Sequence, residues 1–293
     1  MYKILKAEML AENIYLMDVE AARVAKSCLP GQFVIVKIDE KGERIPLTIC
    51  DYDREAGTIT IVFQTVGAST RRMAELKAGD CFRDFVGPLG QPSELCNESI
   101  ADLKAKKILF VAGGVGTAPV YPQVKWLKEN GVDADVIVGA KTKDLLILEK
   151  EMEEVAGNLY ITTDDGSYKR KGMVTDVIKD LVQNEGHKYD VCIAIGPMIM
   201  MKFVCLLTKE LELPTVVSLN PIMVDGTGMC GACRVTVDGV VKFACVDGPE
   251  FDGHKVDFDQ AMKRQQLYKT EEGRAYLKEV EGDTHKGNKC GGN

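Results

Sequence analysis

Residues 108–119 read ILFVAGGVGTAP, an apolar run that leads directly into a glycine-rich turn. The run is typical of a buried strand, and the residues after it have the pattern of a helix. Glycine lets the backbone turn sharply and approach a ligand, and the first N–H groups of a helix attract phosphate. This unit therefore predicts a nucleotide site, although Pro119 stands where the usual Rossmann fingerprint has its third glycine. The candidate contacts are Gly113, Gly114, Val115, Gly116, Thr117, Ala118 and Pro119.

Strand-like and helix-like segments alternate three more times between residues 132 and 213. This alternation predicts a parallel α/β domain, which we place at residues 99–215. Two of its strands end in turns that would join the nucleotide site, because ligands of open α/β sheets bind at the carboxyl ends of strands. The candidate residues in these turns are Asp164, Asp165, Gly166, Gly196, Pro197 and Met198.

Residues 1–98 have a different pattern of short segments with alternating apolar residues, such as QFVIVKI and TITIVFQTV. Turn sequences separate these segments, so the region predicts a small antiparallel β-barrel. Within it, ERIPLTI at 43–49 predicts a strand and VGASTRRMAELKAGD at 66–80 a loop that opens a helix. Ser69 and Thr70 are suited to cap that helix and to bind an anion, whereas a solvated face is the simpler explanation for Arg71 and Arg72.

VDGTGMCGACRV, residues 224–235, contains a Cys-x-x-Cys pair, and a third cysteine follows at position 245. The intervening RVTVDGVVKFA predicts a hairpin that would return the chain from Cys233 to Cys245. With Asp225 and Cys230, the spacing matches that of plant-type [2Fe–2S] sites, except that aspartate occupies the first cysteine position. Because a carboxylate can bind iron, we predict that Asp225, Cys230, Cys233 and Cys245 hold the cluster in a small domain at residues 216–293 with a flexible C-terminal tail.

Three other interpretations of these cysteines stay open. Asp225 could be an ordinary turn residue, with the fourth ligand supplied from elsewhere. The site could bind zinc, with His254 or Asp247 completing the ligand set. The cysteines could also be plain buried thiols. The spacing, the hairpin and the glycines of the loop favour the iron–sulfur cluster.

The composition excludes several functional classes. A net charge of −7 and a pI near 5.2 argue against a nucleic-acid partner, which would require a basic surface. The N-terminus has no signal-peptide pattern, and Lys202 and a Gly-Pro interrupt the most apolar run, so we expect no membrane span. Ten cysteines without an export signal indicate reduced thiols or metal ligands in a cytoplasmic protein.

In chain order, the motifs R-x-P-L-T, V-G-x-x-[ST], G-P-L-G, G-G-x-G-x-A-P, T-D-D-G-S and G-P-x-x-M-M resemble the ferredoxin-NADP reductase superfamily over the first ~215 residues. The resemblance implies FAD on the barrel and a nicotinamide cofactor over residues 114–119. Arg44 would hold the diphosphate or ribityl group, and Thr48 would lie near the reactive nitrogen. The implied flavin contacts are Arg44, Pro46, Leu47, Thr48, Val66, Gly67, Ser69 and Thr70.

The whole chain resembles electron-transfer subunits of dihydroorotate dehydrogenase B and small subunits of NADH-dependent reduced ferredoxin:NADP oxidoreductases. The former normally have four cysteine ligands and a cysteine before the last Gly-Pro, where this chain has Asp225 and Ile195. Both departures favour the second type, which implies a larger partner with another flavin and [4Fe–4S] clusters, and ferredoxin as an indirect partner. The resemblance favours NAD(H), although Lys141 or Lys143 could meet the 2′-phosphate of NADP.

Two further functions stay open beside these two subunit types. One is a stand-alone flavin reductase that acts on ferredoxin or sulfur compounds. The other is a zinc-binding module without enzymatic activity. A partner requirement would separate the first from an electron-transfer subunit, and a colourless purified protein would favour the second.

Overall fold

The computed structural model describes residues 1–281. The predicted flexible C-terminal tail, HKGNKCGGN at residues 285–293 with Cys290, lies outside the described residues. Within residues 1–281, no helix has the length and apolar character needed to cross a membrane.

The N-terminal region forms the predicted antiparallel barrel. Its strands run in the order β6-β1-β2-β5-β4-β3-β7, and only Arg83 separates β6 from β7, so the two ends of the sheet meet and nearly close it. The elements are β1 (Tyr2–Ala11), β2 (Ile14–Glu20), α1 (Ala22–Ser27), β3 (Phe33–Lys37), β4 (Ile45–Asp53), β5 (Thr58–Gln64), α2 (Ala68–Ala74), β6 (Cys81–Phe82) and β7 (Asp84–Leu89). Buried aliphatic and aromatic side chains, including Ile4, Met17, Ile61 and Phe82, fill its interior.

The nucleotide region forms the predicted parallel sheet, with β11-β10-β9-β8-β12-β13 as neighbours. Helices cover both faces, as expected for strands that are apolar on both sides. The elements are α3 (Ile100–Ala105), β8 (Ile108–Gly113), α4 (Thr117–Glu129), β9 (Ala134–Ala140), α5 (Glu149–Val155), β10 (Leu159–Thr163), β11 (Arg170–Lys171), α6 (Val174–Lys179), β12 (Val191–Ile195), α7 (Met198–Glu210) and β13 (Thr215–Ser218).

The C-terminal segment contacts both other regions. Its elements are β14 (Arg234–Val237), β15 (Val240–Phe243), β16 (Glu250–Asp252), α8 (Phe258–Arg264) and α9 (Lys269–Glu281). β14 and β15 form the hairpin expected from the Asp-Gly turn. β16 extends the nucleotide sheet by pairing antiparallel with β13, a long-range pairing that local sequence patterns do not reveal. The boundaries 1–98, 99–215 and 216–293 stay a prediction.

A partly buried carboxylate lies where the three regions meet. The amide of Gln123 in α4, which is 1% exposed, donates a 2.8 Å hydrogen bond to Oε1 of Glu250 in β16. A methyl group placed at Gly31 in the barrel would lie 3.3 Å from the same oxygen, so the barrel packs directly against it. Burial, with the nearby charge of Glu94, raises the pKa of Glu250 to about 7, because an ion in this position loses hydration.

We expect Glu250→Gln to stabilise the protein above neutral pH. Between pH 4.5, the usual pKa of the carboxyl, and about pH 7, the unfolded chain releases its proton while the folded chain keeps it. The free energy of unfolding of the parent protein therefore falls with rising pH by up to about 3 kcal/mol. Glutamine keeps a polar partner for Gln123 without ionising. Urea unfolding at pH 5 and pH 8 should show the stability difference between variant and parent growing with pH, and parallel profiles would contradict this. Glu153→Gln, on an exposed face of α5, is the control.

Candidate functional site

The predicted nucleotide site lies at one edge of the parallel sheet. β8, β9, β10 and β12 are adjacent and parallel, so the turns that follow them lie together. After β8, a single 3₁₀ turn at Gly114–Gly116 leads into α4, and the Thr117 hydroxyl donates a 2.9 Å hydrogen bond to the carbonyl of Gly114. A methyl group at Gly114 would meet no atom within 4 Å, so the backbone at this position is open for a ligand to approach.

Backbone packing joins the first glycine turn to the Gly196-Pro197 turn after β12. A methyl group at Gly116 would lie 2.2 Å from the carbonyl oxygen of Ile195, and one at Gly196 would lie 3.1 Å from the Cα of Gly113. Side chains at these positions would force the two turns apart. The glycines therefore fix the relative position of the two loops, a role that the sequence alone did not predict.

The Asp164-Asp165 turn after β10 is held by its own side chains. The carboxylate of Asp165 accepts hydrogen bonds from the Ser167 N–H at 2.9 Å and the Ser167 hydroxyl at 2.7 Å. These bonds hold the pKa of Asp165 below its usual value. Ser167 also accepts the N–H of Lys143 at 2.8 Å, and the Lys143 ammonium lies 5.0 Å from the ring centroid of Tyr168. Lys143, one of the two lysines that could meet the 2′-phosphate of NADP, thus already contacts an aromatic ring.

The predicted flavin strand is the first half of β4. Pro46, Leu47 and Thr48 pair with Ile35, Val34 and Phe33 of β3, and all three are only partly buried, unlike Ile49 and Cys50 that follow them. The predicted diphosphate loop at 66–70 is shaped by Thr70, whose hydroxyl accepts the N–H groups of Val66 at 3.0 Å and Gly67 at 3.1 Å. These two N–H groups thus have an internal partner, and the Ser69 hydroxyl is bonded to Glu43.

Arg44 lies in a position that sequence reasoning missed. Its Nε donates a 2.8 Å hydrogen bond to the carbonyl of Val224, and its Nη2 donates one of 3.2 Å to the carbonyl of Asp225. The arginine expected at the flavin phosphates thus also joins the flavin strand to the loop of the candidate cluster ligands. Arg44 and Val224 are 180 positions apart in the sequence, so no local pattern predicts this contact.

The four candidate cluster ligands come together as two pairs. The Cys230 thiol donates to Asp225 Oδ1 at 2.8 Å, and the Cys233 and Cys245 sulfur atoms lie 3.2 Å apart. The hydrogen bonds from Cys230 and then from the Thr227 hydroxyl hold the pKa of Asp225 well below its usual value. Burial raises the pKa of Cys245 to about 12, so metal binding would have to displace its proton.

This pairwise arrangement fits a two-iron cluster. Each iron of a [2Fe–2S] centre takes two protein ligands, and the chain supplies one pair for each. Within residues 1–281, no three His, Cys, Asp or Glu side chains are grouped as they would be around a single metal ion. The residues considered for a zinc site have other partners, since His254 is hydrogen-bonded to Thr208 at 3.0 Å and Asp247 accepts the N–H of Phe243 at 2.7 Å.

Apolar packing brings the buried ligand pair against the barrel. Cys233 and Cys245 belong to one buried cluster with Phe33 and Ile35 of β3. β3 is the direct neighbour of the flavin strand β4, and adjacent strands lie about 4.8 Å apart. The other pair faces outward, because Cys230 is exposed and Met229 beside it is 88% exposed. The cluster site therefore lies between the flavin strand and the protein surface.

Comparison with known proteins agrees with this arrangement. Residues 220–257 match the family model described as the iron–sulfur cluster binding domain of dihydroorotate dehydrogenase B, and residues 110–206 match the oxidoreductase NAD-binding domain. A homologue of the dihydroorotate dehydrogenase B electron-transfer subunit from Thermotoga maritima is 47% identical, with 94% of each chain covered. The chain belongs to this family of electron-transfer subunits. An uncharacterised protein of Clostridium beijerinckii is 65% identical over 99% of this chain and 98% of its own.

A solved structure extends the comparison to the whole fold. One chain of the NADH-dependent reduced ferredoxin-NADP oxidoreductase, studied for flavin-based electron bifurcation, is 45% identical. It aligns with a TM-score of 0.85 and covers 96% of this subunit and 98% of its own length. Phthalate dioxygenase reductase, at 15% identity and a TM-score of 0.56, shares the fold alone.

These matches confirm the predicted fold class and the predicted electron-transfer oxidoreductase. They also confirm the cofactor set of FAD, a [2Fe–2S] cluster and NAD(H). The individual residues assigned to each cofactor stay predictions.

Proposed function

We propose that this subunit takes hydride from NADH and delivers single electrons, through FAD and its [2Fe–2S] cluster, to a larger partner. The flavin supplies the exchange between two-electron and one-electron transfer, and the protein positions the groups that carry it. The observation that carries the proposal is the position of the cluster ligands. One pair packs against the barrel beside the flavin strand, and the other pair faces the surface.

The nucleotide loops position the donor in this proposal. The turn at 113–119 binds the NAD(H) phosphates and ribose, and its contact with the Gly196-Pro197 turn keeps the nicotinamide directed toward β4. Pro46, Leu47 and Thr48 line the flavin ring, and the loop at 66–70 holds its diphosphate. Arg44, which also contacts the cluster loop, keeps the flavin strand and the cluster ligands in a fixed relation.

The surface around the outward ligand pair is the proposed docking site of the partner. Val224 and Met229 flank this pair in the chain and expose 47% and 88% of their surface, so they offer apolar area that a partner would cover. By analogy with the bifurcating oxidoreductase, the partner carries a second flavin and [4Fe–4S] clusters, and the complex couples NADH, NADPH and ferredoxin. We place this subunit in the cytoplasm, where its nine free thiols within residues 1–281 would stay reduced.

Anaerobic reduction of the purified subunit tests the proposal. NADH should bleach the flavin absorbance, and cytochrome c, a one-electron acceptor, should then be reduced in repeated turnovers. NADPH should act more slowly, since Lys143 already contacts Tyr168. A subunit that contains flavin and about two irons per chain, but whose flavin is not bleached by NADH, would contradict the proposal.

A dihydroorotate dehydrogenase B subunit is the second candidate, because the cluster-domain family and several relatives carry that name. The partner that co-purifies with the tagged subunit decides between the two. An FMN-containing partner that produces orotate from dihydroorotate would favour this second function. A partner with [4Fe–4S] clusters that reduces NADP⁺ with reduced ferredoxin would favour the first.

A further inference from the structure

The C-terminal helix α9 has an unusual place in the fold. It spans thirteen residues from Lys269 to Glu281 and has no buried residue. Tyr276 is the one α9 residue within the described chain that is partly buried, whereas Leu277 and Val280 expose 51% and 55% of their surface. An isolated helix of this length is marginally stable in water, so α9 requires an external contact.

The contact is made to α2, the helix that opens at the predicted diphosphate loop. The Arg71 guanidinium donates a 2.9 Å hydrogen bond to the Tyr276 hydroxyl and lies 4.7 Å from the centroid of its ring. Arg71 directly follows Thr70, whose hydroxyl shapes the loop. The C-terminal helix is thus attached to the one loop of the barrel that was assigned to the flavin diphosphate.

We propose that α9 forms the outer wall of the subsite for the adenosine-diphosphate half of FAD. Tyr276 is a positioning residue that holds the Arg71 guanidinium beside the diphosphate. Val280 lies one turn after Tyr276 on the same face of α9, Leu277 lies one turn before Val280, and both are exposed and offer an apolar surface. This inference rests on the proposed flavin site at residues 66–70.

The chemistry of the adenosine half matches this surface. A diphosphate attracts the guanidinium group, and a flat adenine packs well on aliphatic and aromatic side chains. FMN ends at its single phosphate and lacks the adenosine altogether. The wall should therefore strengthen the binding of FAD and add little to that of FMN, which distinguishes it from a helix that only stabilises the fold.

Tyr276→Ala should weaken FAD binding about tenfold, the effect expected when a hydrogen bond and a cation–π contact are lost together. The dissociation constants of FAD and FMN for the flavin-free full-length chain can be measured by the quenching of flavin fluorescence. FMN affinity should stay within about twofold of the parent, and Tyr276→Phe should recover part of the FAD affinity. Because Tyr276 acts through Arg71, the double variant Arg71→Ala with Tyr276→Ala should lose little more FAD affinity than Arg71→Ala alone.

Tyr268→Ala is the matched control, since Tyr268 is an exposed tyrosine next to α9. Unchanged FAD affinity in Tyr276→Ala, or equal losses of affinity for FAD and FMN, would overturn the proposal that α9 lines this subsite. Thr70→Val separates this failure from a failure of the site itself. If Thr70→Val weakens FAD binding while Tyr276→Ala does not, the flavin site stands without the wall. If neither does, the flavin site is elsewhere.

Discussion

Replacing Cys233 with alanine is expected to eliminate the iron–sulfur cluster while the flavin stays bound. Cys233 is 2% exposed, and its sulfur lies 3.2 Å from that of Cys245. Alanine leaves one of the two ligand pairs incomplete, and no water can reach this buried position easily enough to replace a thiolate. The buried cluster around Cys233 contains Phe33 and Ile35 of β3 but no residue of the flavin strand β4, so the contacts of that strand are not changed directly.

The measurement is iron content and electron transfer in the purified variant. Iron should fall from about two per chain to near zero, with flavin content unchanged. NADH-dependent reduction of ferricyanide, which accepts electrons from the flavin directly, should persist. Reduction of cytochrome c should fall at least about tenfold, because in the proposal electrons leave the subunit through the cluster. Cys81→Ser, in the barrel strand β6, should leave all four quantities unchanged. A variant that keeps its iron would remove Cys233 from the ligand set.

Asp225→Cys keeps all four predicted ligands and replaces the carboxylate with a thiolate. Cysteine at this position restores the usual four-thiolate pattern, so the cluster should persist with a changed electron paramagnetic resonance spectrum and reduction potential. The carboxylate now accepts bonds from Cys230, Thr227 and Met229, and these also give it a structural role in the loop. An unchanged spectrum and potential would mean that Asp225 shapes the loop and does not bind iron.

The sequence predicted the features that depend on local patterns. The strand, turn and helix at 108–129, the hairpin after Cys233 and the alternating strands of the barrel each carry their signal within a few neighbouring residues. Because the strands of a parallel α/β sheet all end at the same edge, the predicted alternation of strands and helices also placed the three loops together. The cysteine spacing favoured the cluster, and family motifs then implied FAD, which residue patterns alone left open.

The contacts between the three regions could not be predicted in the same way. β16 pairs with β13 at sequence separations of 32 positions or more, and the Arg44 contact to the cluster loop spans 180 positions. Glu250 looks like any surface glutamate in the sequence, yet the regions packed around it remove much of its hydration. Such contacts depend on shape complementarity between separately formed surfaces, and a single sequence carries no periodic signal for that.

Gly116→Ala is expected to abolish efficient use of NADH. The added methyl group would lie 2.2 Å from the carbonyl oxygen of Ile195 and 2.9 Å from the Cα of Gly196, both of them backbone atoms. Neither can move aside as a flexible side chain would, so the turns after β8 and β12 must separate. Overpacking of this kind costs about 1–3 kcal/mol. Since both turns belong to the proposed nucleotide site, the displacement should weaken NADH binding by about tenfold or more.

The expected loss is confined to the nucleotide step. In rapid mixing with NADH, the rate of flavin bleaching at low NADH should fall at least about tenfold in Gly116→Ala, whereas dithionite should still reduce flavin and cluster fully. Gly186→Ala is the matched control, because Gly186 also lies in the nucleotide region and a methyl group there meets no atom within 4 Å. Its own positive φ of 74° adds strain without closing the site, so it should lower stability and leave the bleaching rate intact. Equal rates in Gly116→Ala and the parent would mean that the contact between the two turns is dispensable and that the nicotinamide is positioned by other residues.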